Sequence, residues 1–144
     1  MPELPEVFTI AKDLNLALVG KQISDIQIKY PPLLAKTLIQ NEENSEQLFL
    51  NSPIEAINPI GKLLFFSFKN GRGFMVSLRM TGQFIWGTAA DVNLSHIHAI
   101  FQFVEPVGPE GQKILLYRDI RKFGRIYFCD QANFCTLLFS LHQS

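Results

Sequence analysis

Apolar residues recur at helical spacing near the start of the chain. Through residues 3–19 they are Leu4, Val7, Phe8, Ala11, Leu14 and Leu18, and Gly20 follows them. Residues three and four apart lie on the same side of a helix, and glycine commonly follows a helix C-terminus. The pattern predicts an amphipathic helix over residues 3–19 with one wide apolar face.

Beyond Gly20 the pattern changes to short runs rich in Ile, Leu, Val and Phe, separated by turn signals. Runs of this kind are typical of an antiparallel sandwich or barrel. The pattern predicts about seven strands: Ile23–Tyr30, Ile54–Ile57, Lys62–Phe68, Gly73–Leu78, Gly82–Ile85, Ile97–Val104, and Ile114–Tyr117, which continues after a break into Arg125–Cys129. Asn70–Gly73 and Pro106–Gly111 are predicted hairpin connections. Residues 131–141 are compatible with a terminal helix, so we expect a mainly β fold with flanking helices.

Length and composition are those of one globular domain. The chain has 144 residues, is 47% hydrophobic and contains 13 phenylalanines, which is enough material for a core. The N-terminus does not have the basic start and following apolar run that are typical of a signal peptide. The apolar run Leu63–Phe66 is far shorter than the ~18 residues of a membrane span. We therefore expect a cytoplasmic protein with no membrane partner. Cys129 and Cys135 lack zinc-site spacing and are interpreted as ordinary thiols.

Charge is balanced overall but unevenly distributed. The formal net charge is zero, which by itself argues against a nucleic-acid binder. Residues 1–60 nevertheless carry four lysines against eight acids, whereas residues 61–144 carry nine bases against five acids. Such polarity can focus an anion onto one surface. Solvated strand faces are the alternative explanation, and charge alone does not separate the two.

The chain begins MPELPEV, and this start has two interpretations. In the first it is a helix start, because proline suits the first helical turn and glutamates complement the positive end of the helix dipole. In the second, removal of Met1 leaves Pro2 as a free secondary amine beside the carboxylates Glu3 and Glu6. Only a chain-terminal proline offers a secondary amine, which can act as a nucleophile.

Four separated stretches resemble, in order and spacing, the N-terminal domain of the bacterial formamidopyrimidine-DNA glycosylases (Fpg, also called MutM). They are MPELPEV, GKLL at residues 61–64, LRMTG at 78–82 and RDIRKFG at 118–124. The resemblance implies a β-sandwich with the first helix packed against it. It also implies DNA base-excision repair by a bifunctional glycosylase and AP lyase. That enzyme removes oxidised purines (8-oxoguanine and formamidopyrimidines) through an N-terminal proline Schiff base.

The resemblance assigns catalytic roles to four residues. Pro2 matches the nucleophile, and Glu3 matches the general acid and base that acts on the sugar. Glu6 lies one helical turn further on and supports the site. Lys62 matches a strand-borne lysine that contacts the lesion and its phosphates, although a surface lysine at the start of a strand is the alternative.

Met80, Arg121 and Phe123 match the family's trio that fills the space left by a flipped-out base. Met and Phe replace lost stacking, and a guanidinium can donate to the abandoned cytosine. The alternative is that Met80 and Phe123 are core residues and Arg121 is a solvated arginine, because strand alternation alone could bury the first two.

His96 and His98 are two apart and would share a face on a strand. No third ligand at a familiar spacing accompanies them, so we expect no metal site. The family carries a similar His-x-His near a DNA-facing strand, which favours phosphate contact by one of them. Lys122 and Arg125 are further phosphate candidates. The implied partner is double-stranded DNA containing oxidised purines or abasic sites, bound by a monomer.

The match has departures. Phe8 replaces the glutamate usual after PELPEV, Ser77 replaces a histidine, and Ile97 replaces an acidic residue between the two histidines. We expect residues 1–128 to form the Fpg-like domain and residues 129–144 an atypical tail. The family's helix–two-turns–helix and zinc-finger modules are expected to be absent, so no cofactor is expected and activity would be impaired.

Two other functions stay open. The first is a non-catalytic DNA-binding remnant of the same fold. The second is a small-molecule β-barrel carrier, which the strand pattern allows but no residue constellation supports.

Overall fold

The computed structural model describes residues 4–34, 50–104 and 112–129. One helix, α1 (Leu4–Leu18), precedes eight strands. The strands are β1 (Ile23–Ile28), β2 (Ile54–Ile60), β3 (Leu63–Phe68), β4 (Gly73–Ser77), β5 (Gly82–Thr88), β6 (Ile97–Phe103), β7 (Lys113–Asp119) and β8 (Arg125–Cys129). Short 3₁₀ turns occupy Pro31–Leu33 and Ala89–Asn93. The mainly β fold with an N-terminal helix is confirmed.

The strands form two four-stranded antiparallel sheets. The first has the order β1-β6-β7-β5 and the second β2-β3-β4-β8. Phenylalanines from both sheets meet between them. Phe74 of β4 stacks on Phe66 of β3 at 4.5 Å between ring centroids and faces Phe101 of β6 in the other sheet at 6.0 Å. All three rings are buried, so the fold is the expected sandwich.

Helix α1 covers part of the second sheet through Val7, Ala11, Leu14 and Leu18, which are all buried. The prediction that Phe8 belongs to this apolar face is wrong, because its side chain is 58% exposed. Each helical residue turns by about 100°, so Phe8 points roughly a quarter-turn away from the stripe that begins at Val7. Phe8 adds to the number of apolar residues in the helix, but its side chain faces solvent and does not pack in the core.

A side-chain amide joins α1 to β2. The Asn15 Oδ1 accepts a hydrogen bond from the Ile57 N–H at 2.9 Å, and the Asn15 Nδ2 donates to the Ile57 carbonyl. The Gly20 N–H donates to the Ile54 carbonyl at 2.9 Å, and the Ile54 N–H donates to Lys21 O at 2.9 Å. The helix therefore runs antiparallel to β2, with its C-terminal end beside Ile54.

Several predicted strand ends shift. Lys62 is not in a strand: Gly61 and Lys62 form the tight turn between β2 and β3, where Ile60 pairs with Leu63 and Gly61 has a φ of 60°. Leu78 lies outside β4, since its carbonyl instead accepts from the Gly82 N–H at 2.9 Å. The Asn70–Gly73 hairpin is confirmed, and Asn70 Oδ1 accepts from the Arg72 N–H at 3.0 Å. The Pro106–Gly111 hairpin and the helix at 131–141 fall outside the described residues.

Candidate functional site

Two chain connections lie side by side at one end of the sandwich. Residues 78–81 lead from β4 to β5, and residues 120–124 lead from β7 to β8. Their ends are paired in both sheets, because Ser77 pairs with Arg125 and Gly82 pairs with Asp119. We call these connections the paired loops. Each crosses from one sheet to the other at the same place.

The same end carries the Gly61–Lys62 turn and the start of α1. Leu63, which follows Lys62, pairs with Ser77, so the turn and the paired loops lie in one row. Asn15 anchors the helix at Ile57. From the Asn15–Ile57 contact, the helix runs back to Leu4 and the strand runs on to Lys62 in the same direction. At 1.5 Å per helical residue and about 3.3 Å per strand residue, each of these ends lies about 16 Å from the contact. We call this end of the sandwich the loop end.

Met80, Arg121 and Phe123 come together on the surface of the paired loops. Met80 is 55% and Phe123 49% exposed, so the interpretation of these two as core residues is wrong. The Arg121 guanidinium lies 5.1 Å from the Phe123 ring centroid, and its Nη1 donates to the Met80 Sδ at 3.5 Å. Two exposed apolar side chains thus flank one cation, which is within the range of a cation–π contact.

A buried carboxylate lies beneath this group. Asp119 is 1% exposed and accepts hydrogen bonds from the Thr81 hydroxyl at 2.5 Å, the Gly124 N–H at 2.8 Å and the Tyr117 hydroxyl at 3.1 Å. Burial by itself would raise the pKa of Asp119. The hydrogen bonds from Thr81, Gly124, Tyr117 and the Lys122 backbone outweigh burial and lower that pKa below its ordinary value. Asp119 is therefore ionised at neutral pH.

Asp119 is a residue of this site to which the sequence reasoning gave no role. Its signal was present, because it is the only acid within the basic run RDIRKFG at residues 118–124. Tyr117 beside it is fully buried. Burial first, and then the negative charge of Asp119, raise the pKa of Tyr117, so its hydroxyl keeps the proton that it donates.

The two histidines do not share a strand face. His96 precedes β6 with a left-handed φ of 65° and is exposed, whereas His98 lies within β6 and is 5% exposed. The His98 Nε2 donates to the Asp119 carbonyl at 2.8 Å, and its ring packs edge-on against Tyr30 at 4.8 Å. The expectation of a shared face is wrong because the left-handed residue breaks strand alternation. A phosphate contact by His98 is not supported by this arrangement, which leaves His96 as the histidine on the surface.

The remaining cations surround the paired loops. Lys122, with a left-handed φ of 62°, holds its Nζ 5.3 Å from the Tyr30 ring centroid. Arg125 Nη1 donates to the carbonyls of Lys122 at 2.9 Å and Gly124 at 2.7 Å. Arg118 donates to the Ser95 carbonyl at 2.9 Å. Arg125 is therefore partly engaged in holding the second paired loop, and Arg118 in holding the segment before β6.

The charge asymmetry of the sequence becomes an asymmetry between the ends of the sandwich. Among the described residues, the bases of the loop end are Lys29, Lys62, Arg79, Arg118, Arg121, Lys122 and Arg125. The acids there are Glu6 and the buried Asp119. At the opposite end Lys21, Lys69, Arg72 and Lys113 are accompanied by Asp25, Glu55 and Asp91. A concentration of one sign at one end is the arrangement that attracts a polyanion.

Glu6 and Lys62 are both exposed at the loop end. Pro2 and Glu3, the other expected catalytic residues, lie outside the described residues, as does the tail beyond Cys129. Within residues 4–34, 50–104 and 112–129, no three His, Cys, Asp or Glu side chains are grouped so that they could hold a metal ion. No helix in those ranges is long and apolar enough to cross a membrane.

Comparison with known proteins identifies the family of the chain. The profile described as Formamidopyrimidine-DNA glycosylase N-terminal domain matches residues 1–126. The formamidopyrimidine-DNA glycosylase of Ligilactobacillus salivarius is 32% identical over 126 residues, which cover 88% of this chain and 42% of that protein. The enzyme of the same name from Lactiplantibacillus plantarum is 35% identical over 127 residues, covering 88% and 42%. The chain spans about 42% of the length of these relatives.

Solved structures agree with the sequence relatives. Lactococcus lactis Fpg in complex with DNA containing an abasic site is similar at a TM-score of 0.79 and 25% identity, covering 96% of this chain and 47% of that one. The wild-type L. lactis protein with DNA containing N7-benzyl-Fapy-dG is similar at a TM-score of 0.80 and 26% identity, covering 96% and 48%. The likeness includes the two-sheet architecture and extends over nearly the whole chain.

Proposed function

Since the chain belongs to the formamidopyrimidine-DNA glycosylase family, whose N-terminal domain matches residues 1–126, we propose that it acts on damaged DNA in base-excision repair. The proposed activity is that of a glycosylase and AP lyase specific for oxidised purines. The proposed partner is duplex DNA with 8-oxoguanine, formamidopyrimidine or abasic sites, bound by a monomer in the bacterial cytoplasm.

The observation that carries the proposal is the meeting of separated elements at the loop end. The helix start, the Lys62 turn and the two paired loops come from four parts of the sequence and lie together there. The exposed group formed by Met80, Arg121 and Phe123 lies at the same end. An enzyme that opens a duplex at one nucleotide needs its nucleophile, its phosphate contacts and its stacking side chains on one face.

The proposed chemistry begins at Pro2 after removal of Met1. The proline nitrogen bonds to C1′ of the lesion nucleotide, the bond from C1′ to the base breaks, and the base leaves. The sugar opens to an iminium, whose positive charge acidifies the neighbouring C2′–H, and elimination then breaks the C3′–O bond to the phosphate. Glu3 would donate and accept protons on the sugar, and Glu6 would support it from the first turn of α1.

Met80, Arg121 and Phe123 would enter the duplex where the lesion leaves the stack. The two apolar side chains would take the stacking positions, and the guanidinium between them would donate to the cytosine opposite. Their exposure and mutual contact in the protein support this role, because apolar side chains of this size are otherwise mostly buried.

Phosphate contacts would come from the basic residues around this group. Lys62, His96 and Lys122 have exposed side chains at the loop end. Arg125 would act both through its charge and through its hydrogen bonds to the loop carbonyls. Neutralising phosphates releases counterions, so binding should weaken steeply as the salt concentration rises.

The first experiment joins intact mass with borohydride trapping. Mass measurement separates protein that retains Met1 from protein with a free Pro2. A duplex with an abasic aldehyde is then added, so that amine and aldehyde lose water to form an iminium, which borohydride reduces to a stable amine. Only protein with a free Pro2 should yield the adduct, and protein that retains Met1 is the matched control.

The outcome also distinguishes the alternative function. If the free-Pro2 form binds the abasic duplex and yields no adduct, even when fused to the C-terminal half of a relative, the catalytic proposal is wrong. The non-catalytic DNA-binding interpretation then stands. If neither form binds DNA, both proposals fail.

A further inference from the structure

We propose that Asp119 is a positioning residue: its buried carboxylate fixes the paired loops in the arrangement that presents Met80, Arg121 and Phe123 to DNA as one unit. This inference rests on the proposed function for its DNA partner. The geometric part concerns the protein alone and is tested separately below.

Every polar group of Asp119 is engaged, and its partners lie in different segments. The backbone N–H donates to the His96 carbonyl at 3.0 Å, and the backbone carbonyl accepts from His98 Nε2 at 2.8 Å. The carboxylate accepts from Thr81 in the first paired loop, Tyr117 in β7 and Gly124 in the second. One residue therefore links the segment before β6 to both paired loops.

The Thr81 hydroxyl connects the two loops directly. It donates to Asp119 Oδ1 at 2.5 Å and accepts from the Arg121 N–H at 3.1 Å. A hydroxyl has one proton to donate and can also accept. The carboxylate takes that proton, which leaves the oxygen free to accept from Arg121. The orientation of this hydroxyl thus depends on Asp119 being an acceptor.

The carboxylate and the Tyr117 hydroxyl are closely packed against two glycines. A β-carbon on Gly124 would overlap the Tyr117 hydroxyl and approach Asp119 Oδ2 to 2.9 Å. A β-carbon on Gly82 would approach the Tyr117 hydroxyl to 2.6 Å. Two glycines therefore make the room in which the tyrosine and the carboxylate meet. Met80 and Phe123 are about half exposed, so apolar burial alone does little to hold them in place.

The consequence for DNA is preorganisation. Loops that are ordered before binding do not lose conformational freedom when they enter the duplex, so more of the contact energy appears as affinity. The effect should be largest where a gap in the stack receives the three side chains. It should be small on intact DNA, where phosphate contacts dominate.

The test uses Thr81→Val, which keeps the shape of the side chain and removes the hydroxyl. Thr88→Val at the far end of β5 is the matched control, and Thr81→Ser is the conservative rescue. The first readout is the NMR order parameter of the backbone amides at residues 120–124 in the free protein. Wild type, Thr81→Ser and Thr88→Val should give values near ~0.85, and Thr81→Val should fall toward ~0.6.

The second readout is the ratio of affinities for a duplex with a tetrahydrofuran abasic analogue and for the undamaged duplex. Thr81→Val should lower this ratio by about five-fold, while affinity for undamaged DNA changes less than about two-fold. Asp119→Asn should act in the same direction and more strongly, because its NH₂ replaces one carboxylate oxygen and then faces either the Thr81 hydroxyl or the Tyr117 hydroxyl and the Gly124 N–H, which are donors.

The two readouts separate the two claims. If Thr81→Val and Asp119→Asn remain folded with unchanged amide order parameters, the positioning role is wrong whatever happens with DNA. If the loops loosen and the affinity ratio is unchanged, the inference is also overturned, because loop order then does not govern recognition. If the loops loosen and wild type itself shows no preference for the abasic duplex, the proposed function fails, and Asp119 is left with its structural effect only.

Discussion

The hydroxyl of Tyr117 occupies the space that a β-carbon on residue 124 would need. The same hydroxyl donates to Asp119 Oδ2, to which the Gly124 N–H also donates. The side chain of Tyr117, near the end of β7, therefore fits against the backbone of Gly124, just before β8. Glycine is required at position 124 because the Tyr117 hydroxyl approaches its backbone closely. Replacing Gly124 should therefore disturb both the core and the paired loops.

We expect Gly124→Ala to lower the free energy of unfolding by about 2–3 kcal/mol, as overpacking of a rigid ring does. Urea unfolding measures the loss. In a Tyr117→Phe background the added methyl meets no hydroxyl, so the cost of Gly124→Ala should be smaller there. An equal cost in both backgrounds would show that the hydroxyl is not the obstacle.

Asn15→Ala should lower the free energy of unfolding by about 1–3 kcal/mol. The substitution leaves the Ile57 N–H and carbonyl without the amide that bonds both of them. Leu16→Ala is the control on the same helix, because Leu16 is 80% exposed and its truncation should cost less than about 0.5 kcal/mol. Similar losses in the two variants would exclude a special role for the amide.

Stability should depend on Asp119 in acid. Its pKa is lowered in the folded protein, so its contribution is fully present above the ordinary pKa of an aspartate and is lost as the pH falls through the lower folded value. Urea unfolding between pH 7 and pH 3 should therefore show a fall in stability below about pH 4. Asp119→Asn should flatten that fall. An unchanged slope in this variant would mean that other carboxylates account for the acid loss.

Lys62→Ala should weaken DNA binding or base excision more than it weakens cleavage at a preformed abasic site, because the lysine is proposed to contact the lesion and its phosphates. Loss of one phosphate contact should reduce the slope of log K against log salt by about 0.9. Lys69→Ala is the matched control, since Lys69 lies beyond the opposite end of β3. Equal loss on both substrates with an unchanged slope would contradict the assignment.

The 144-residue chain alone should excise 8-oxoguanine poorly and retain more of its action on abasic sites. Bending the duplex and flipping a nucleotide cost a few kcal/mol, which contact over a wide surface offsets. Attack on a preformed aldehyde needs less recognition. The comparison is with the same chain fused to the C-terminal half of a relative. Equal excision of 8-oxoguanine by both proteins would refute the prediction.

Periodicity predicted the order of the described helix and strands, because alternation and helical spacing report burial directly. It did not predict the two 3₁₀ turns, and it took β8 as the continuation of β7, although the two strands lie in different sheets. It failed where geometry departs from regular backbone. Lys62 was assigned to a strand and lies in a two-residue turn, and His96 was paired with His98 although its left-handed φ interrupts the alternation. The prediction of helix α1 was correct, but the placement of Phe8 on its apolar face was wrong. The number of apolar residues in a helix does not determine which way each side chain points.

The sequence predicted which residues belong to the site, but it did not predict how they come into contact. Family resemblance selected Met80, Arg121 and Phe123, but their contact requires two connections about forty residues apart to cross the sandwich at the same place. No local pattern contains that information. Asp119 was missed for a related reason. Its position as the only acid of RDIRKFG is visible in the sequence, but its partners Thr81 and His98 come from other segments, so its role follows only from the fold.

The outer edge of β2 is closed against further strands along much of its length. Ile54 already pairs with the chain at Gly20 and Lys21, and Ile57 is bonded to the Asn15 amide. Pro59 lies two residues after Ile57, so its backbone faces the same outer edge of β2, and proline has no N–H to donate there. An edge strand is where identical chains most readily join into larger sheets. The helix and the segment after it therefore occupy hydrogen-bonding positions through which a second copy of the chain could pair, and a variant that loses Asn15 would leave the Ile57 N–H and carbonyl open to such pairing.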